Sequence, residues 1–292
     1  MRRAGRASAL VAALVAAAAL GASTAGATVI GTAHGIKYVK NTLTVLGGGS
    51  NWSDAINCGA DYQPLSGGTF STGFSDARMT TSSFGSFHTN WTSAGWNEGF
   101  GKSISTLALC RKTAAAVNYV TKEVTVAAGS PANPTVMSAN APCPAKTVIA
   151  SGGVRIGGDV STVHVSGFYP VKAFELWRVT VANEGAERNI TVAAVCVPPG
   201  LGLTYYKSVY TDAPVSPNGF LARPSCLAAG EVPIGGGGVW SGNQNRAHIA
   251  TAGPIDSSGN VNSIPDYAWQ VAAANDAGAA KDFTQFAICK PA

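Results

Sequence analysis

The sequence predicts an all-β protein of three tandem units, each a small antiparallel β unit of about 80–90 residues. Three observations predict it: one spacing pattern occurs three times, six cysteines take matching places in that pattern, and the composition suits turns and strands. Charged residues are only 12% of the 292-residue chain, and Gly, Ala, Ser, Thr and Val dominate, which argues against helical bundles. The units either stand as separate beads or close into a pseudo-threefold β-prism-like or sandwich architecture.

The pattern is built from independent spacings. Cys58, Cys143 and Cys226 each lie nine positions before a glycine pair, Gly67-Gly68, Gly152-Gly153 and Gly235-Gly236. Trp91 and Trp177 lie 19 positions before Cys110 and Cys196, and Trp269 lies 20 before Cys289. Six residues after each tryptophan comes an asparagine followed by an acid: Asn97-Glu98, Asn183-Glu184 and Asn275-Asp276. Each closing cysteine ends an apolar-Ala-apolar-Cys segment, with Ala108, Ala194 and Ala287 two positions earlier. Tyr38-Val39, Tyr119-Val120 and Tyr205-Tyr206 open the three copies. The units are placed at 37–117, 118–203 and 204–292, after a lead at 28–36.

Residues 1–27 read as a secretion signal. Arg2, Arg3 and Arg6 precede an apolar run from Ala9 to Ala22, and Ala25-Gly26-Ala27 forms a small-residue cleavage site. The run is shorter than the ~20 residues a spanning helix needs, and no later segment is long and apolar enough. The expectation is a secreted, extracellular bacterial protein with no membrane span. Without the three signal arginines the mature balance of charge is +2. No Lys/Arg cluster survives to suggest a nucleic-acid partner.

Six cysteines in an exported chain suggest disulfides, and they allow fifteen pairings. One start cysteine and one end cysteine per unit favours Cys58–Cys110, Cys143–Cys196 and Cys226–Cys289. A cyclic pairing between neighbouring units stays open if the units close into a ring.

Within a unit, Trp177, Val179 and Val181 alternate with Arg178 and Thr180, the period of a half-buried strand. Asn183-Glu184-Gly185 then reads as a tight turn in which Asn and Gly tolerate positive φ. A strand from Ile190 to Val195 follows, so the Trp and Cys strands are expected to pair as a hairpin. Thr147–Ile149 and Thr162–Ser166 give further strands, for four or five per unit and little helix. The glycine pair marks a bulge or a close backbone approach. The alanine two before each closing cysteine leaves room for the disulfide or the tryptophan. A cysteine leading into a glycine turn, used three times, resembles the β-prism of vitelline membrane outer-layer proteins. That resemblance implies three faces of one prism. The cysteines here are farther apart and that family's acidic motif is missing, so it bears on architecture alone.

Catalytic signals are sparse. His164 and His248 each lie six residues before a proline, Pro170 and Pro254, and Met79 stands near that place in the first unit. A threefold metal site therefore lacks its third ligand, and the histidines read as polar strand residues facing water or a neighbour. Glu98, Glu184 and Asp276 read as solvated turn residues. Asp159, Glu175, Asp256 and Asp266 lie in the variable middles, where a glycosidase would place two carboxylates about 5–10 Å apart. G-x-S-x-G, H-E-x-x-H and C-x-x-C are absent, and Gly235–Gly238 lacks the Lys-Ser/Thr of a phosphate loop. No cofactor and no metal is expected. The repeated tryptophans Trp91, Trp177 and Trp269 read as core. Trp240, Asn243, Asn245 and Tyr267 differ between copies and are the candidate binding residues, an indole and amides for stacking on a sugar and bonding its hydroxyls. The expected function is non-enzymatic binding of a polysaccharide or cell-surface glycan. The alternatives are an extracellular polysaccharide hydrolase or lyase, and a structural envelope or matrix protein.

Overall fold

The computed structural model describes residues 26–71, 76–114, 116–213, 216–242, 247–276 and 278–291, so most of the N-terminal segment lies outside it. The described residues form nineteen strands and no α-helix. In chain order they are β1 (Thr28–Ala33), β2 (Ile36–Val45), β3 (Ser50–Asn57), β4 (Tyr62–Ser71), β5 (Ala77–Phe84), β6 (Asn90–Asn97) and β7 (Lys102–Lys112). Next come β8 (Asn118–Val126), β9 (Thr135–Pro142), β10 (Val148–Ile156), β11 (Val163–Val171), β12 (Leu176–Asn183) and β13 (Arg188–Val197). The last are β14 (Thr204–Ala213), β15 (Ser216–Ala222), β16 (Glu231–Trp240), β17 (Ala247–Ile255), β18 (Ala268–Asn275) and β19 (Lys281–Pro291). Residues 36–112 thus hold six strands, more than the four or five expected. One extra strand, β3, is hard to see because it is polar with only Trp52 and Ile56 turned inward.

Three antiparallel sheets result, ordered β1-β2-β7-β4-β17-β18-β15, β3-β6-β5-β10-β13-β8 and β14-β19-β16-β11-β12-β9. Each sheet joins strands from two distant stretches of chain. The seams are Thr69↔Ala252 between β4 and β17, Val154↔Ser82 between β10 and β5, and Phe168↔Gly238 between β11 and β16. Residues 28–112 share one sheet with 118–197 and another with 204–291, and the last two stretches share the third. The ring closes, giving a prism-like all-β body rather than separate beads. Seam strands carry core residues on both faces, which is why β17 is buried along its whole length.

The expected Trp–Cys hairpin does not form. β12 pairs with β11 and β9, whereas β13 pairs with β10 and β8 in a different sheet. The chain passes from one sheet to another between them, and the asparagine anchors the passage. Asn183 is fully buried and its Nδ2 donates to Ala127 O (2.9 Å) and Ala186 O (2.8 Å). Asn97 Nδ2 donates to Leu46 O and Phe100 O, both at 2.9 Å. Asn275 Nδ2 reaches Ala213 O (3.4 Å) and Ala279 O (2.9 Å). None of the three has positive φ. Asparagine serves here through its amide, which satisfies carbonyls that no strand partner reaches, and not through a left-handed backbone.

The three disulfides Cys58–Cys110, Cys143–Cys196 and Cys226–Cys289 have Cα separations of 5.6, 5.7 and 5.8 Å. Their presence suits an oxidising, extracellular environment. No helix among the described residues is long and apolar enough to cross a membrane.

A bulge precedes each glycine pair, between Pro64 and Ser66, Ile149 and Ser151, and Pro233 and Gly235. A Cβ on Gly67, Gly152 or Gly236 would enter the ring of Trp91, Trp177 or Trp269 respectively. A Cβ on Gly68, Gly153 or Gly237 would strike a backbone oxygen across the seam, that of Ala252, Ser82 or Phe168. The third pair is therefore Gly236-Gly237, one position beyond the nine-residue spacing, and the run of four glycines hides the extra residue. Register agrees: Gly67, Gly152 and Gly236 face Ala108, Ala194 and Ala287.

Candidate functional site

Two places gather polar side chains. The first is where β5, β11 and β17 begin. Arg78, His164 and His248 lie opposite Trp96, Ala182 and Ala274, each the residue just before an anchoring asparagine. The third member is thus Arg78; Met79 is fully buried in the core. Arg78 Nη2 pairs with Glu98 Oε1 at 2.6 Å, His164 Nε2 lies 3.4 Å from Glu184 Oε2, and His248 Nδ1 lies 3.9 Å from Asp276 Oδ2. The acids read as solvated turn residues are therefore partners of this cluster. Arg78 Nη1 lies 3.5 Å from His164 Nε2, and the two imidazole centroids are 6.0 Å apart. Those contacts cross from sheet to sheet, so the cluster joins all three. Both histidines are buried, at 3% and 1% exposure, out of reach of a polymeric substrate. Among the described residues no three His, Cys, Asp or Glu are arranged to hold a metal ion. The cluster clasps the prism together.

The second place is a cleft of about 310 Å³ on the outer face of the seven-stranded sheet. Ser71, Ser103 and Ser105 from β4 and β7 line one side, Arg223 and Gln270 another, and Asn260 and Asn262 a third. Phe70, Leu221 and Val261 supply apolar surface. The residues come from both ends of the chain and meet because β4 and β17 share a seam.

The wall is the connection between β17 and β18, residues 256–267. It is twelve residues long, where β5–β6 and β11–β12 use five and four. Asp256 shapes it by accepting bonds from Ser258 N, Ser258 Oγ, Asn260 N and Ser263 Oγ. Burial alone would raise its pKa, but these bonds outweigh burial and hold it at about 2. Lys40 Nζ donates to Asn262 Oδ1 at 2.9 Å, and Ile264 packs against Gly31, pinning the connection to β1 and β2.

The other acids of the variable segments are also engaged locally. Glu175 accepts from Ile149 N and pairs with Lys172, and Asp159 accepts from Ser161 N. Asp266 raises the pKa of the Tyr38 phenol, after burial, the larger cause.

Of the expected binding residues, neither Trp240 nor Tyr267 lines the cleft. Trp240 is a core residue, 1% exposed, between Phe220 (5.3 Å) and Phe283 (4.9 Å), with Nε1 donating to His248 O at 3.4 Å. It ends a strand whose tryptophan turns inward, so the indole has no free face for a sugar. Asn243 and Asn245 lie outside the described residues. Tyr267 is half exposed at the end of the long connection and does not line the cleft. The cleft itself escaped the sequence reading because its residues are far apart in the chain; the unequal lengths of the β5–β6, β11–β12 and β17–β18 connections were the available signal. No protein-family model matches the chain, and comparison with curated proteins returns no relative.

Proposed function

We propose that the protein is exported and binds a polysaccharide or cell-surface glycan, without catalysing a reaction, in the cleft beside residues 256–267. The reading takes the units at 37–117, 118–203 and 204–292 as the scaffold, and the one long connection as the addition that makes a site. The observation that carries it is the lining: three serine hydroxyls and three side-chain amides beside Phe70, Val261 and Leu221, with no carboxylate among the described residues that line it. Hydroxyls and amides match sugar hydroxyls, and the apolar residues match the C–H face of a pyranose. A hydrolase needs two carboxylates flanking the bond, and the nearby acid, Asp256, already accepts four hydrogen bonds.

The test is a glycan array followed by titration of the best binder. Ser105→Leu and Asn262→Ala should each weaken binding at least tenfold, while Tyr267→Ala, outside the cleft, should leave it unchanged. An array with no binder, or affinity untouched by both cleft variants, overturns the reading.

A further inference from the structure

Resting on that reading, we infer that the cleft selects glycans bearing an anionic substituent, a uronate carboxylate or a sulfate, through Arg223. Among the described residues that line the cleft it is the one charged side chain. Its Nε donates to Gln270 Oε1 at 3.0 Å, which fixes the plane of the guanidinium. Its terminal nitrogens lie over Gly259, where a Cβ would sit 2.9 Å from Nη1 and 3.1 Å from Nη2. Gly259 has φ +81°, so the chain places a residue there that both turns the connection and leaves the guanidinium its space.

No ion pair among the described residues involves Arg223. Asp256 is three residues from Gly259, yet both its oxygens accept hydrogen bonds from the same connection, one from Ser263 and the other from Ser258 and Asn260. Arg223 therefore presents a positioned fork of donors with no counter-ion among the described residues, the geometry that takes a carboxylate or sulfate bidentately. The seryl and amide groups around it bind the neutral hydroxyls that all sugars share, so the arginine supplies the discrimination.

The full secreted chain is titrated with three oligosaccharides of matched length: an oligouronate, a sulfated oligomer and a neutral one. At low salt, one or both acidic oligomers should bind at least tenfold more tightly than the neutral one, and the arm that wins names the anion. Arg223→Gln should abolish that preference, bringing the acidic oligomers down to the affinity the same variant shows for the neutral one. Arg223→Lys, which keeps charge and loses the fork, should recover only part of it. Thermal melts of both variants serve as the folding control, since Arg223 is exposed. Equal affinity for acidic and neutral oligomers, with Arg223→Gln altering neither, overturns this inference and leaves the glycan reading standing. Failure of all three oligomers to bind overturns both.

Discussion

Asn183 carries a prediction that its neighbours do not. Its buried amide is the partner of the Ala127 and Ala186 carbonyls, and replacement by leucine leaves both without that donor. Asn183→Leu should cost about 1–3 kcal/mol, read as a lower midpoint in urea unfolding, whereas a solvated turn asparagine would cost almost nothing. Gly152 makes a parallel case. Gly152→Ala pushes a methyl into the Trp177 ring and should cost about 1–3 kcal/mol, while Gly157→Ala, whose Cβ would meet only Asn189 O at 3.5 Å, should be near neutral. Tyr119 and Tyr205 are further single-residue ties. Each phenol reaches the bulge of the preceding stretch, Pro64 O at 2.7 Å and Ile149 O at 2.6 Å. The repeated glycine, tryptophan and asparagine could be picked out by spacing alone. Their roles could not, because a spacing shows that a residue is needed and only the contact shows why. Backbone propensity makes Asn183 look like a turn residue, but its burial makes hydrogen-bond satisfaction the stronger constraint.

At the scale of elements, the connection at 256–267 is a loop organised around one ionised carboxylate. The Asp256 pKa is lowered from its ordinary value to about 2, so its contribution is fully present above the ordinary carboxylate range and is lost as pH falls toward 2. Amide exchange at Ser258 and Asn260 should therefore speed up relative to the strand amides between pH 4 and pH 2. Exchange in an Asp256→Asn variant should lack that pH-dependent change. The disulfides act on longer elements. Cys143–Cys196 closes a span of 53 residues, and replacing both cysteines with serine should cost about 4 kcal/mol by the chain-entropy account, measured by denaturant unfolding. Strand alternation was legible for β12 and β13, yet their pairing was not. A short connection favours a hairpin on average, and the competing factor, two buried half-sheets needing separate partners, is invisible in a local window. Strand β3 is hard to see for a related reason: the apolar residues it turns inward are Trp52 and Ile56 alone.

At the scale of the whole molecule, the three seams make the stability of each third depend on the other two, and the cleft exists only when β4 and β17 meet. The clasp of Arg78, His164 and His248 with Glu98, Glu184 and Asp276 closes the same ring. The all-β class followed from composition and triple spacing, which left separate beads and a closed prism both open. Closure through exchanged half-sheets did not, because the seams rest on a few long-range pairs such as Thr69↔Ala252 that leave no local pattern. Differential scanning calorimetry of the oxidised chain, with and without Gly152→Ala, tests closure most directly. A closed ring predicts one transition, with calorimetric and van't Hoff enthalpies in agreement, that moves as a whole to lower temperature in the variant. Separate transitions, with only one of them shifted by Gly152→Ala, would contradict it.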